Sequence, residues 1–403
     1  MRFRLFFGFL VGFASAFNTF AIQAGGRPLS VGLIASGLYF ISIIPAYNSS
    51  KFNSTIKESG RFVFLPLFFC LLLAIMNLIY YRGGGIFPFS IFMDWLLMYA
   101  MLYHSKFDNR AIEFCLYGFA VGATILSILF YLGIGVEINT IQEGERFSMF
   151  GSNENVLGII QALSSAIILN LFIINDRLKI HFLRFLFVIP LLLSAAMIFA
   201  TGSRTALLIL VSEFVFTILL YQTKKRYKII IIIASMVVVF FLIQWFLSSD
   251  YAIVTRVFSV IEEGNTGGRT DIWGRYLTIF PEHPIFGVGE EGMLDIAIRS
   301  GVGTTDILGY PTALSPHNVL LEVLMKTGIV GLLIMGVFWL KIFRCTVKSR
   351  KYYGESLPLI LFIPILVVLF SGQILTEKYA WFIYAYMIAA SNGRLIVNNV
   401  IKQ

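Results

Sequence analysis

A series of apolar runs, each about 20 residues long and divided by short polar breaks, constrains this chain more than any other feature. In lipid the backbone N–H and C=O groups of a segment find no water, so such runs are compatible with helices that pair them internally. About 20 residues is also the length that crosses the hydrocarbon core. Twelve runs fit, at roughly 3–22, 28–47, 62–81, 85–104, 111–135, 155–175, 185–202, 204–222, 229–247, 325–343, 357–375 and 378–391. The polar break TGSRT at 201–205 divides what would otherwise read as one long span into a tight hairpin. Composition agrees, with 58% hydrophobic and 13% charged residues, where a soluble domain carries about 25% charged. The N-terminal run reads as a span rather than a cleavable leader, since no clear small-residue cleavage site follows it. The expected fold is an all-α polytopic membrane protein of about twelve transmembrane helices, one membrane domain over 1–403.

The net charge of +9 invites a nucleic-acid reading, and its placement argues against one. The loops that alternate along the chain from Arg2 and Arg4, through Lys51 to Arg61, Lys106 and Arg110, Arg177 to Arg184, KKRYK at 224–228 and Lys341 to Lys351, to Arg394 and Lys402 hold 21 of the 31 basic residues. Basic loops stay cytoplasmic, so both termini are expected there, and the charge is a topology signal. The other ten basic residues, among them Arg146, Arg204, Arg269, Arg275, Lys326 and Lys378, fall on the opposite side against that bias and need a separate reason. The longest connection, 248–316 between the ninth and tenth spans, lies on that outer side and is the expected place for extracytoplasmic chemistry. Cys70, Cys115 and Cys345 share no metal-ligand spacing and imply neither a disulfide framework nor a zinc site.

Within the long connection, GGRTDIWGRYLTIFPEHPIFGVGEEG at 267–292 places Ile272, Trp273, Tyr276, Leu277 and Phe280 on one helical face. Thr270 is suited to cap this short amphipathic helix and Pro281 to end it. The helix would lie on the membrane or close over a cavity. Arg269 at its start suits a phosphate, because a helix N-terminus offers N–H groups and a positive dipole end; the plainer reading is contact with lipid headgroups. Arg204 stands at the mouth of the 201–205 hairpin, either snorkelling or binding an anion in an aqueous cavity. ERFSMFGSNENVLG at 145–158 adds Arg146 with Asn153 and Asn155, on what is otherwise an ordinary capped loop. In SPHNVLLEVLMKTGIVG, Ser315 is expected to cap a helix with Pro316 at its first position. His317 would then fall in the first turn, where the dipole disfavours imidazolium and leaves a neutral imidazole able to act as a general base. The helix is expected to break at Gly328 and Gly331. His104 and His181 fall in cytoplasmic loops, and His283 reads as structural. Asp94 and Glu213 lie deep in spans, where carboxylates are relay candidates; with no basic residue obviously at their depth, a structural role is favoured. No Gly-rich phosphate loop, metal-ligand cluster or nucleophile elbow is visible.

Taken together, HN followed by nine residues and GIVG (His317, Asn318, Gly328, Gly331), GGRTDIW with HPIFGVG, TGSRTAL, and RFSMFGSNEN resemble the family of O-antigen ligases and O-antigen polymerases. SNEN stands where many relatives have Asn-Pro-Asn. The motifs cover about a quarter of the chain and the topology all of it. The resemblance implies a glycosyltransferase of the bacterial inner membrane, facing the periplasm, that takes a glycan from undecaprenyl diphosphate. Arg204 and Arg269, with Arg146, would hold and stabilise the diphosphate, His317 would deprotonate the acceptor hydroxyl, and Arg275 and Asn318 would join in substrate binding. Inversion at the anomeric carbon is implied, with no metal and no cofactor. The acceptor is either another lipid-linked repeat unit, making a polymerase, or lipid A core, making a ligase. The sequence reading leans to the polymerase, with the ligase as its alternative. The competing class is a transporter or flippase coupled through Asp94 and Glu213.

Overall fold

The computed structural model describes residues 2–17, 20–24, 27–81, 85–108, 110–141, 144–174, 184–220, 268–305 and 311–393. Helices dominate. In chain order they are α1 (Arg2–Ala16), α2 (Val31–Ile43), α3 (Ser49–Ser59), α4 (Leu65–Ile79), α5 (Phe89–His104), α6 (Ala111–Tyr131), α7 (Glu154–Ile167), α8 (Val188–Thr201), α9 (Arg204–Leu220), α10 (Arg269–Ile279), α11 (Gly289–Arg299), α12 (Val319–Tyr353), α13 (Leu357–Ser371) and α14 (Lys378–Ser391). Eleven of the twelve apolar runs coincide with one of these; the run at 229–247, the KKRYK cluster and residues 248–267 of the long connection lie outside the described residues. Among the described residues, Arg61–Ile79, Ala111–Tyr131, Glu154–Ile174 and Val319–Tyr353 are long and apolar enough to cross a membrane, and four further apolar helices are shorter. This is a multi-pass helical protein. The apolar pattern did not show α3, a polar helix capped by Asn48. Nor did it show three antiparallel two-stranded hairpins, β1 (Ala21–Ala24) with β2 (Arg27–Ser30), β3 (Val136–Ile141) with β4 (Gly144–Met149), and β5 (Gly303–Thr305) with β6 (Pro311–Ala313).

The chain forms two compact units, the first from residues 1–45, 110–264 and 349–365, the second from 46–109, 265–348 and 366–403. In the first, α1 and α6 meet backbone to backbone through glycine. A Cβ built on Gly12 would lie 1.8 Å from the Cys115 carbonyl oxygen, and one on Gly118 would lie 1.9 Å from that of Phe9. Helices in lipid gain no hydrophobic drive from meeting, so close packing of small residues does the work. α7 runs through the middle, almost wholly buried. Two of its polar side chains are paired across helices: Gln161 with Ser127 of α6 at 3.0 Å and Asn170, in the π-helical continuation of α7, with Thr217 of α9 at 3.3 Å. The expected hairpin at 201–205 is present, with Gly202 left-handed at φ 62° and the Ser203 hydroxyl accepting the Ala206 N–H.

In the second unit α5 packs on α14, and Asp94, 1% exposed, faces Lys378 at 3.6 Å. That ion pair corrects the expectation that no basic residue shares the depth of Asp94. Aromatic rings fill the surroundings, with Trp95 stacked on Tyr99 and the Phe338 ring edge-on to Tyr384. We expect Gly118→Ala to destabilise the protein by about 1–3 kcal/mol, the usual cost of overpacking, because its methyl would strike a backbone carbonyl. Gly37→Ala on α2, with nothing within 4 Å, should leave stability unchanged or slightly raised. Thermal unfolding of the two detergent-solubilised variants checks this, and equal melting temperatures would contradict it.

Candidate active site

The second unit builds its site around a break in α12. At Gly328 the backbone leaves helical geometry (φ 64°, ψ −165°), so Val319–Thr327 and Ile329–Tyr353 are separate helices. Such a break orphans backbone groups on both sides. The 284–288 loop takes them up: the Val288 N–H donates to the Met325 carbonyl at 3.1 Å, the Ile329 N–H to Pro284 at 2.9 Å and the Val330 N–H to Ile285 at 3.1 Å. The HPIFGVG and MKTGIVG motifs are therefore two halves of one backbone clamp. Only glycine fits its closest points, since a Cβ on Gly328 would lie 2.2 Å from the Ile285 carbonyl oxygen and one on Gly287 2.5 Å from that of Met325. Gly331 is helical, so the expected second break does not occur; its place is set by Thr327, whose hydroxyl would meet a Cβ there at 1.8 Å.

The clamp fixes α10 and α11 on the short first half of α12. Tyr276, Val288, Met293, Ile296, Ala297, Val302, Leu321 and Met325 form a buried apolar cluster, with Ile272, Trp273, Ile279 and Phe280 packed against it. α10 is thus seated on protein. Of the predicted face, Leu277 is 49% exposed and Ile279 packs in its stead. The helix opens at Gly268, left-handed at φ 75°, so Thr270 sits in the first turn and is not the cap. It ends at Ile279, just ahead of Pro281 as expected.

His317 lies on a strip of chain that α10 holds in place. Trp273 Nε1 donates to the Pro316 carbonyl at 2.7 Å and the Tyr276 hydroxyl to the Leu314 carbonyl at 2.8 Å. Burial pushes the Tyr276 phenol up to about 12, so it stays protonated as a donor at neutral pH. The helix cap is Asn318, whose side-chain oxygen accepts the Leu321 N–H at 3.0 Å. The expectation that Ser315 caps and Pro316 opens the helix is thereby corrected, and His317 precedes the helix instead of standing in its first turn. Its backbone is left-handed at φ 46°, an uncommon and mildly costly state for a residue with a side chain. The Ser315 hydroxyl accepts the His317 N–H at 3.1 Å and is itself bonded by Gln373. His317 is half-buried. Arg269, also half-buried, is one turn before Trp273 on the same helical face, and helical side chains lean toward the N-terminus. The Arg269 turn and the His317 strip are therefore neighbours in this unit. Arg275 is exposed, with its guanidinium on the Ser300 and Gly301 carbonyls at 3.3 and 3.0 Å at the end of α11.

The other two arginines belong to the first unit. Arg204 opens α9, half-buried, directly after the Gly202–Ser203 hairpin. Arg146 on β4 is buried (7% exposed); its Nε donates to the Thr201 carbonyl and one terminal nitrogen to Asn155, both at 3.1 Å, while the other is 3.5 Å from Glu154. It ties the β3–β4 hairpin to the turn that carries Arg204 and to the start of α7. Asn153 caps α7 by accepting the Asn155 N–H. His283, next to the clamp, meets the Tyr80 hydroxyl at 3.2 Å. Glu213 is buried on α9, with neither carboxylate oxygen hydrogen-bonded among the described residues. Among those residues no group of three or more His, Cys, Asp or Glu is placed to hold a metal ion.

Sequence comparison bears on this same region. The family model described as O-antigen ligase matches residues 189–336, which span α8, Arg204, α10, α11 and the broken start of α12. This stretch of the chain is similar to the O-antigen ligase family. An O-antigen ligase of Pseudomonas aeruginosa PAO1 is 28% identical over 165 residues, which are 40% of this chain and 35% of that protein. The match thus spans about a third of the relative's length.

We expect Gly328→Ala to unfold the clamp. It combines a positive-φ, extended-ψ backbone that is essentially confined to glycine, costing about 1–3 kcal/mol for a residue with a Cβ, with a carbonyl at 2.2 Å. Gly336→Ala, in the helix after the break, meets nothing within 4 Å and should be neutral. Limited proteolysis in detergent reads the difference, with faster cleavage within 284–320 expected for Gly328→Ala alone; equal cleavage of both variants would contradict the clamp.

Proposed function

We propose that the protein is an O-antigen ligase-type glycosyltransferase. It takes a glycan from undecaprenyl diphosphate on the periplasmic face of the inner membrane and passes it to a sugar hydroxyl of lipid A core. The observation that carries this is the built strip at 314–318. A histidine in a left-handed backbone, braced by Trp273, Tyr276 and Ser315 and followed by a capping asparagine, lies inside the stretch that matches the O-antigen ligase family. Residues held in uncommon backbone geometry cluster at functional sites.

In this reading an imidazole nitrogen of His317 takes the proton of the acceptor hydroxyl as its oxygen attacks the anomeric carbon. The bond from that carbon to the diphosphate oxygen breaks and undecaprenyl diphosphate leaves. Attack from the face opposite the leaving group inverts the carbon. Arg269, at the start of α10, offers a guanidinium beside helix N–H groups, which suits the charge gathering on the leaving phosphate. In the first unit, Arg146 supports the turn that carries Arg204. Asn318 and Arg275 fix the geometry on either side of His317 and α10 through their backbone partners. The sequence reading leaned to a repeat-unit polymerase. Both comparisons carry the word ligase, and the ligase is therefore the reading preferred here. The coupling role that a transporter would ask of Asp94 is disfavoured by its pairing with Lys378.

Reconstitution in nanodiscs with an undecaprenyl-diphosphate-linked glycan tests the reading. Wild type should form product when lipid A core is present and none without it. His317→Ala should lower the rate by about 10²–10⁴, the usual worth of a general base. Longer lipid-linked chains in the absence of core would make the protein a polymerase, and an unimpaired His317→Ala would remove the base.

A further inference from the structure

The second unit contains a cavity of about 470 Å³, within the roughly 300–1,000 Å³ range of small-molecule sites. Its lining comes from the end of α4, the start of α5, α11, the first half of α12 and the segment before α14. Its lining combines the aromatic rings of Phe87 and Phe89 with a polar group of Glu290, Glu322, Lys326 and Gln373. Lys326 is the hub of the polar group, its ammonium 2.7 Å from Glu290 and 2.7 Å from Glu322. Each carboxylate has acceptor capacity beyond that one bond. Gln373 joins the cavity to the catalytic strip: its amide N–H bonds the Ser315 hydroxyl two residues from His317, and its amide oxygen remains an acceptor.

Two features select the occupant. Aromatic rings and hydroxyl acceptors lining one cavity match a pyranose, which has apolar C–H faces and a rim of O–H donors. Two carboxylates against one ammonium leave the polar group with net negative charge, which repels phosphate and carboxylate groups and accepts from hydroxyls or an amine. The diphosphate end of a donor is excluded by the same charge.

We propose that this cavity is the acceptor subsite, that it takes a neutral or amino-substituted sugar, and that the Glu290–Lys326–Glu322 bridge determines specificity against phosphorylated sugars. This rests on the transferase reading above. The sugar binds with its hydroxyls on Glu322 and Gln373 and its ring on the aromatic side chains, which presents one hydroxyl toward the His317 strip.

The test is saturation-transfer NMR on nanodisc-embedded protein with methyl α-D-glucopyranoside, methyl glucosaminide and glucose 6-phosphate as probes. Using the His317→Ala protein separates binding from turnover. The two methyl glycosides should show transfer and glucose 6-phosphate none. In the His317→Ala protein that also carries Glu290→Gln and Glu322→Gln, the polar group becomes net positive, and glucose 6-phosphate should bind at least about as well as the glycosides. Glu290→Gln alone guards against misfolding, because the Glu290 side chain is 56% exposed and its described ion pair is with Lys326. In the reconstituted reaction that variant should raise KM for the acceptor several-fold and leave KM for the donor unchanged. Absence of saccharide binding, or a preference unchanged by the double substitution, overturns the subsite. If the binding preference holds while His317→Ala remains fully active, the base fails and the subsite stands.

Discussion

Three backbone hydrogen bonds across the break at Gly328 hold the second unit's site together. A helix interrupted in apolar surroundings leaves donors and acceptors that must be paired. Here the pairing comes from a loop well before it in the chain, at 284–288. Because the partner is a loop, whatever flanks that loop is carried to the break. α10 before it and α11 after it are thereby seated on the first half of α12, and the glycines at 287 and 328 are what permit the approach. A continuous helix from 319 to 353 would need no such partner and would leave α10 and α11 unanchored.

From that seating the 314–318 strip follows. Trp273 and Tyr276 use their apolar rings to bury α10 and their polar ends to hold the carbonyls of Pro316 and Leu314. Amphipathic aromatics are suited to this double duty, since a buried ring tip must find a partner. The strip is thus fixed from one side by α10, from the other by Gln373 through Ser315, and at its end by the Asn318 cap. The backbone that carries His317 is thereby held at several points, the kind of positioning that the proposed general base would need. The polar cavity beyond Gln373 puts a sugar-sized volume at the edge of the same strip.

Much of this was legible in the sequence, because apolar length and glycine are strong signals. The spans at 111–131 and 154–174, the hairpin at Gly202 and the break at Gly328 were readable as local pattern. What escaped depends on pairing across long separations or on backbone states that composition does not encode. Asp94 meets Lys378 from 284 residues away. Ser315-Pro316 has the form of a helix start, but Asn318 takes the cap because His317 turns left-handed between them, and nothing local demanded that. Leu277 and Ile279 are equally apolar, and only the position of α11 decides that Ile279 is the one to pack. Arg146 read as a substrate contact, and its binding to the Thr201 carbonyl, Asn155 and Glu154 became visible only once β4 was placed. The cavity, lined from five separate segments, had no sequence signal beyond the misplaced charge of Lys326.

The measurement that bears most directly on the transferase claim is a cryo-electron microscopy map of the protein with an undecaprenyl-diphosphate-linked glycan bound. The diphosphate is expected within hydrogen-bonding distance of Arg269 at the start of α10, with the anomeric carbon turned toward His317. A diphosphate bound away from Arg269, or an anomeric carbon facing away from the 314–318 strip, would contradict the assignment of His317 as the base.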